Sequence, residues 1–339
     1  MIRSLKPGSL FVAVIFLFLN NMHPGLAADS IAGHKFGRVY GLIYTDVFAR
    51  INSEVRSSAF EMKRIYLGYE KVMNDAFEAN IKIDIGSPDD LSPFSLARRY
   101  AYFKNAYVKY HSHKLSILFG IIDLQQFKLQ EKIWEHRYIE KSFADLYRFG
   151  SSADLGALIN YQWNDWLSSD ITMMNGDGYT QLHNQSNYKY GGGLTVHPVK
   201  KLVVRGYYDI TYHDIMQSTL TLFAGYQDKE LLSAGLEYNH RFNQAYQEDY
   251  QRYGYSCYIT WYFIEKWQVF ARYDHVFSNI IHEETNPWNL NNDGSKIIGG
   301  VEYSPIPQIK MALNYQDWVP YASNEENQQY IYLNLEISF

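Results

Sequence analysis

The feature that most constrains this sequence is a strand-like pattern that recurs from Phe36 to the carboxyl terminus. Runs of about ten residues, in which apolar and polar side chains alternate, are separated by breaks that are alternately short and long. The pattern predicts sixteen strands, at 37–50, 60–70, 76–86, 98–111, 114–124, 153–163, 166–175, 188–197, 201–213, 218–228, 231–241, 251–263, 266–277, 295–304, 308–318 and 328–339. An even number of antiparallel strands returns both ends of a sheet to the same side, as closure into a barrel requires.

The breaks between the strands favour a membrane barrel over other all-β folds. Breaks after even-numbered strands are tight, as at 112–113 and 164–165, whereas most of the others are long and polar, as at 278–294. Short turns at one end and long loops at the other are typical of a barrel inserted from the periplasm. A sandwich or a propeller does not predict this regularity.

The last predicted strand, 328–339, alternates without interruption and ends on Phe339. Its apolar side chains all fall on one face: Ile331, Leu333, Leu335, Ile337 and Phe339. Because an unpaired apolar edge strand promotes aggregation, we expect this strand to pair with the first one. The fold class is therefore predicted as all-β, a 16-stranded antiparallel transmembrane β-barrel. The strand also resembles the signal by which bacterial barrel assembly machinery recognises its substrates.

The same alternation assigns the faces of the strands. In strand 3 it directs Ile81 and Ile83 outward and Lys82 and Asp84 inward. A lysine facing lipid at mid-bilayer costs about 2–4 kcal/mol, which fixes this register. Strand 5 is apolar on both faces, so its register stays open. An interior lined by charges implies a water-filled lumen, since strand side chains alone cannot fill sixteen strands.

The first residues have the pattern of a signal peptide, predicted as 1–27, with the barrel domain at 28–339. Arg3 and Lys6 precede an apolar run at 10–19, and small residues end the segment at Ala27. No other stretch approaches the roughly 20 apolar residues that a transmembrane helix needs. We therefore predict an exported protein of the bacterial outer membrane, with the lipid bilayer as its surroundings.

Composition agrees with a barrel and gives no support for nucleic-acid binding. The chain holds 31 Tyr, 19 Phe and 7 Trp, a set that suits aromatic girdles at both membrane interfaces, and its net charge is −5. The single cysteine, Cys257, cannot form an intrachain disulfide. A soluble secreted β-domain stays open as an alternative.

One break is out of proportion to the rest, the loop at 124–152 between strands 5 and 6. It contains many aromatic residues and no proline, so we expect it to fold into the lumen and narrow it, although an external lid stays open. The residues predicted to set the pore constriction and its selectivity are Lys128, Lys132, Arg137, Arg148, Glu131 and Glu135. The basic residues predicted on the pore wall are Arg64, Arg99, Arg205 and Arg272.

Several short motifs resemble the phosphate-selective porin O and P family. They are RIYLG at 64–68, RRYAY at 98–102, KLSILFG at 114–120, Trp134 with Arg137, MNGDGY at 174–179, and Lys189 followed by His197 and Pro198. The resemblance implies a trimeric porin, an anion channel with arginines along the lumen and lysines near the constriction. Here acidic side chains face inward beside the basic ones, whereas phosphate specificity requires a continuous positive strip. We carry over the fold and the pore, for small hydrophilic or anionic solutes, and leave phosphate specificity open.

Catalysis is not predicted, and neither is a cofactor or a metal. His111, Ser112 and His113 fall in a tight turn, and the NGDG run at 175–178 lacks the glutamate and the ligand spacing of a calcium loop. The alternative function is a barrel with a closed lumen that serves as a membrane enzyme or a surface-adhesion protein.

Overall fold

The structure is a computed structural model that describes residues 37–52, 58–86, 100–183, 187–282 and 284–339. The predicted signal peptide at 1–27 and the wall residue Arg99 lie outside the described residues.

Sixteen antiparallel strands form a closed barrel, as predicted. The strands are β1 (Arg38–Arg50), β2 (Ser58–Val72), β3 (Phe77–Gly86), β4 (Tyr100–Ser112), β5 (Leu115–Asp123), β6 (Ala153–Asn164), β7 (Leu167–Met174), β8 (Lys189–Val199), β9 (Leu202–Tyr212), β10 (Met216–Asp228), β11 (Leu232–Phe242), β12 (Arg252–Ile264), β13 (Trp267–Ser278), β14 (Gly294–Ile306), β15 (Ile309–Pro320) and β16 (Gln328–Ser338). Each strand pairs with its neighbours in sequence, and β1 pairs with β16.

The barrel closes where the two ends of its sheet meet. Gly41 and Phe339 exchange backbone hydrogen bonds of 2.9 and 3.1 Å. The Phe339 ring lies over Gly41, where an added Cβ would stand 2.1 Å from the ring. Glycine is therefore required at position 41 for the terminal aromatic ring to pack on the first strand. The predicted pairing of the first and last strands is confirmed.

The alternation of burial along the strands confirms the predicted facing. In β9, Arg205 and Asp209 are buried inside while Val204 and Tyr208 are exposed outside. For β5, where the sequence left the register open, Phe119 is exposed outside and Ile122 is buried inside. The barrel thus has an apolar outer face and a charged, polar interior.

Two β-bulges add charges to the interior. Tyr44 pairs with Arg64 and the next residue pairs with Met62, so Lys63 is an extra residue and projects inward beside Arg64. In β4, Lys104 is extra in the same way, because its two neighbours pair with consecutive residues of β3. An extra residue lets two adjacent side chains face the same side, which strict alternation forbids.

The loop between β5 and β6 contains two short helices, α1 (Lys128–Trp134) and α2 (Phe143–Leu146). Two 3₁₀ turns, Gln244–Tyr246 and Leu290–Asn292, lie in other long loops. Within the described ranges, no helix is long and apolar enough to cross a membrane.

Candidate functional site

The loop at 124–152 packs against the inner face of the barrel wall. Its base is tied by a 3.3 Å hydrogen bond from the Leu124 amide to the Ser152 carbonyl. Trp134, at the end of α1, is fully buried against the rings of Tyr258 and Phe270, whose centroids lie 5.3 and 6.1 Å away. The apolar side chains of the loop are therefore buried against the barrel wall as well as against one another.

A second aromatic cluster holds the later part of the loop. Phe127, Phe143 and Phe149 are buried together, and Tyr147 packs against Trp318 of β15 with ring centroids 6.1 Å apart. Burial of a large apolar side chain stabilises by roughly 1.5–3 kcal/mol. Two clusters of this size fix the loop along the wall formed by β10 to β16.

The middle of the loop is attached to the wall by polar contacts. The two ring nitrogens of His136 lie 3.0 Å from Glu302 and 3.1 Å from the Thr260 hydroxyl, and the Tyr138 hydroxyl donates to Glu302 at 2.7 Å. Glu140 forms a close ion pair with Lys296. Although burial raises the pKa of Glu140, the ammonium groups of Lys296 and Lys63 lower it to about 2. Glu140 is therefore ionised at neutral pH.

Three of the six predicted constriction residues belong to one chain of alternating charges. Lys128 lies 2.9 Å from Asp123 and 3.4 Å from Glu131, and Arg137 lies 2.7 Å from both Glu131 and Asp145. Burial lowers the pKa of Lys128, but the two carboxylates beside it outweigh burial and raise it. The pKa of Arg137 is raised in the same way, so both cations stay charged and are neutralised by their partners.

The other three constriction residues lie elsewhere. Glu135 pairs with Lys229 at 2.6 Å and accepts from the Tyr262 hydroxyl at 2.8 Å, near the short turn between β10 and β11. Lys132 is exposed and makes no ion pair with a described residue. Arg148 is exposed toward the opposite end, where the long loops are. Glu135 has a backbone φ of 58°, in the left-handed region, which ends α1 and turns the chain. As a result, these three residues do not lie together.

The wall arginines face inward and are engaged by carboxylates. Arg64 lies 3.2 Å from Asp84, Arg205 donates to both oxygens of Asp170 at 2.6 and 3.0 Å, and Arg272 donates to both oxygens of Asp274 at 2.8 and 2.7 Å. Arg205 and Arg272 are only 5% and 3% exposed. Of the three, Arg64 alone lines an open cavity.

Among the described residues, two cavities lie between the loop and the wall. The long-loop cavity, of about 640 Å³, lies toward the long-loop end and is bounded by residues of β2 to β4, the loop, the segment 176–181, Lys189 and Arg241. The mid-barrel cavity, of about 220 Å³, is bounded by β1, β2 and the loop segment 137–141. Arg64 and Lys141 line both cavities, so the two spaces are neighbours at these side chains.

The charges that line the two cavities are unbalanced. The basic side chains outnumber the acidic ones by seven to five among the described residues. The basic ones are Lys63, Arg64, Arg137, Lys141, Arg148, Lys189 and Arg241, and the acidic ones are Glu61, Asp84, Glu140, Asp145 and Asp177. The chain as a whole carries a net charge of −5, so the excess of cations is local to the cavities.

Sequence reasoning missed two arginines that hold the end of the loop. Arg241 donates to the carbonyls of Arg148, at 2.8 Å, and Phe149, and Arg252 donates to the Tyr147 carbonyl at 2.9 Å. Neither forms an ion pair with a described carboxylate. A signal for Arg241 existed, because it lies in phase with inward-facing Glu237 on β11. Lys63 had no such signal, because a bulge places it inside.

The segment that follows β7 also folds inward. Tyr179 donates its hydroxyl to Asp84 at 2.7 Å, and Lys104 lies 4.3 Å from the centre of its ring. Gly176 and Gly178 have φ values of 99° and 84°, which glycine adopts readily. The backbone at these glycines turns the chain so that Tyr179 reaches across to β3.

Comparison with known proteins identifies the fold. No family model matches the chain, and no curated protein matches it in sequence. Among solved structures, the outer membrane channel DcaP of Acinetobacter baumannii has a TM-score of 0.68 and 11% identity, over 92% of this chain and 99% of that one. OmpF of Salmonella typhi has a TM-score of 0.66 and 12% identity, over 89% and 97%. OprB of Pseudomonas putida has a TM-score of 0.64 and 8% identity, over 90% and 94%.

This chain has the porin fold. The similarity covers 89–92% of this chain and concerns the fold alone, so the narrower likeness to phosphate-selective porins rests on the sequence motifs alone. At identities this low, the comparison shows the fold only. The solute has to be inferred from the side chains that line the interior.

Proposed function

We propose that this protein is a porin of the bacterial outer membrane that lets small hydrophilic solutes diffuse passively and favours anions. The observation that carries the proposal is a pair of cavities inside a closed barrel, which share Arg64 and Lys141 and are lined by seven basic and five acidic side chains among the described residues. Charged walls hold water, and water beside an excess of cations admits anions more readily than cations.

The outer face of the barrel supports a place in a lipid bilayer. Large apolar side chains are exposed outside along the strands, among them Phe119, Ile171, Leu222 and Leu313. An exposed apolar surface of this extent is costly in water and favourable in lipid. Tryptophan at 163, 166 and 267 lies at the short-turn end, where an interfacial aromatic girdle is expected.

The anion preference is proposed to arise mainly at the long-loop end. Arg137 is neutralised by two carboxylates, and Arg64 by one. In contrast, Arg148 is exposed and makes no ion pair with a described residue, and the buried guanidinium of Arg241 contacts one hydroxyl and two carbonyl oxygens of the described residues. Neutral acceptors satisfy hydrogen bonds but leave the positive charge uncompensated, so these two side chains attract anions toward the cavity.

Specific, tight binding of phosphate is not part of the proposal. Most cations of the interior already contact a carboxylate, as Lys189 contacts Asp209 at 3.1 Å. An entering phosphate would have to displace that partner, which offsets the gain from its own contacts. We infer a channel of modest selectivity and weak affinity, and we keep trimeric assembly and recognition of Phe339 by the barrel assembly machinery as further proposals.

The test is a planar-bilayer measurement on refolded protein under a KCl gradient, with phosphate added afterwards. We expect ohmic single-channel steps, a reversal potential of anionic sign, and little block by phosphate. A folded barrel that gives no steps would contradict the proposal and favour a closed lumen. Steps with a reversal potential of cationic sign would contradict the anion preference alone.

A further inference from the structure

Glu302 of β14 lies where the loop meets the wall, and its side chain is 1% exposed. On the loop side, His136 Nδ1 lies 3.0 Å from Oε2, and the Tyr138 hydroxyl donates to the same oxygen at 2.7 Å. On the wall side, Gln268 donates to Oε1 in a short hydrogen bond, and Ser304 donates to Oε1 at 3.1 Å. One carboxylate therefore joins two loop residues to two wall residues.

The two loop residues that contact Glu302 flank Arg137 in the sequence. His136 and Tyr138 are 0% and 1% exposed against the wall, whereas Arg137 lines the mid-barrel cavity. Since both neighbours are held to the wall, the side chain between them is directed away from it. The same placement lets Arg137 reach Glu131 and Asp145 at 2.7 Å each.

We propose that Glu302 is the positioning residue for Arg137: its carboxylate holds His136 and Tyr138 on the wall and so directs Arg137 into the mid-barrel cavity. The inference rests on the proposed function, because Arg137 matters to transport only if solutes pass the mid-barrel cavity.

The chemistry of the four contacts explains why a carboxylate is needed at this position. An ionised carboxylate accepts from all four donors, whereas the glutamine amide has a single oxygen, carries no charge and donates at its nitrogen. His136 is held at both ring nitrogens, because the second one lies 3.1 Å from the Thr260 hydroxyl.

Other charged side chains also face this site. Lys310 forms an ion pair with Glu336 at 3.0 Å, and its ammonium group lies 5.8 Å from the centre of the Tyr138 ring. Glu135 accepts a hydrogen bond from the Tyr262 hydroxyl. Contacts outside 136–138, such as the one from Arg272 to the Lys141 carbonyl at 2.6 Å, hold the rest of the loop.

The experiment compares Glu302→Gln with Glu78→Gln in the full refolded chain. Glu78 pairs with Lys109 at 2.9 Å on the wall and does not touch the loop, so it controls for removal of one interior carboxylate. Open-channel current noise and reversal potential are recorded for each protein at neutral pH. Gel mobility with and without heating checks that each variant is folded.

We expect Glu302→Gln to be noisy at neutral pH and to lower the anion-to-cation permeability ratio several-fold, because displaced Arg137 uncovers two carboxylates. Wild type and Glu78→Gln should be quiet. Equal noise and an equal permeability ratio in all three proteins would overturn the inference. Noise that appears in Glu78→Gln as in Glu302→Gln would overturn it as well.

Two further measurements keep the inference testable if Glu302→Gln does not fold or if no current is seen. Tyr138→Phe removes one of the two loop contacts, so its current noise should lie between that of wild type and that of Glu302→Gln. Trypsin cleavage after Arg137 should be faster in Glu302→Gln or Tyr138→Phe than in Glu78→Gln, whether or not the barrel conducts. Unchanged cleavage would sink the positioning role, whereas absent conductance with faster cleavage would sink only the proposed function.

Discussion

Arg148 is the residue whose charge should matter most at the long-loop end, because it is exposed and unpaired among the described residues. We expect Arg148→Gln to lower the anion-to-cation permeability ratio by a factor of about two, since one uncompensated charge near a narrow opening is worth a few tenths of a kcal/mol. Reversal potentials under a KCl gradient measure the change.

Lys132→Gln is the matched control, because Lys132 is also an exposed cation of the loop but lines neither cavity. It should leave the reversal potential almost unchanged. Equal effects of the two substitutions would show that the loop acts through its net charge and not through the cavity that Arg148 lines.

Glu140 gives a prediction about pH. Burial raises its pKa, but Lys296 and Lys63 lower it to about 2. A carboxyl whose folded pKa is depressed contributes stability above its unfolded pKa, and that contribution is lost as the pH falls through the folded value. Glu140→Gln should therefore lower the free energy of unfolding by on the order of 2–3 kcal/mol at neutral pH, an upper estimate, with the difference vanishing toward about pH 2.

Urea unfolding in liposomes at a series of pH values checks this, with Glu230→Gln as the control because Glu230 is exposed in a turn. A deficit of Glu140→Gln that is independent of pH would mean that packing, and not charge, is what the substitution removes.

At the scale of the element, the β5–β6 loop should lose its place if its main apolar anchor is removed. Trp134 is fully buried, its indole donates to the Glu140 carbonyl at 2.9 Å, and Arg272 lies 5.1 Å from its ring centre. Trp134→Ala should cost about 3–5 kcal/mol and raise single-channel conductance as the loop moves.

Trp163→Ala is the matched control, since Trp163 is 53% exposed on the outer face of β6. It should change neither conductance nor the cleavage of the loop by trypsin. If Trp134→Ala unfolds at the wild-type urea concentration and conducts like wild type, the loop is held by its polar contacts and the apolar cluster is secondary.

The elements differ in how far the sequence could predict them. The strand positions could be predicted from the alternation of apolar and polar residues, because one face of each strand meets apolar surroundings and the other meets a charged interior. In β3 and β9 the alternation holds without exception. Period two fails at Lys63 and Lys104, because a bulge depends on the pairing of two strands and leaves no mark in the local sequence.

The interior contacts were harder to predict than the strands. Arg64 and Arg272 were expected to line the pore, but Arg272 lies next to Asp274 on its own strand and is covered by the loop at Lys141. Facing follows from alternation along one strand. Whether an inward side chain meets water depends on which wall the loop covers, and that is decided by contacts between distant segments.

For the whole molecule, the apolar outer face should respond to charge according to depth. Replacement of Leu313, which is 60% exposed near the middle of β15, by lysine should lower the free energy of unfolding by about 2–4 kcal/mol. The same replacement of Val39, which is 63% exposed at the start of β1, should lower it by only about 0–1 kcal/mol, because Val39 lies near an interface. Both sites are exposed to a similar degree, so a barrel surrounded by water would respond equally and weakly at the two. Urea unfolding in lipid vesicles distinguishes these outcomes. A loss of unfolding free energy at Leu313 alone would mean that hydrocarbon, and not water, surrounds the outer face of the strands whose inner face carries the charges.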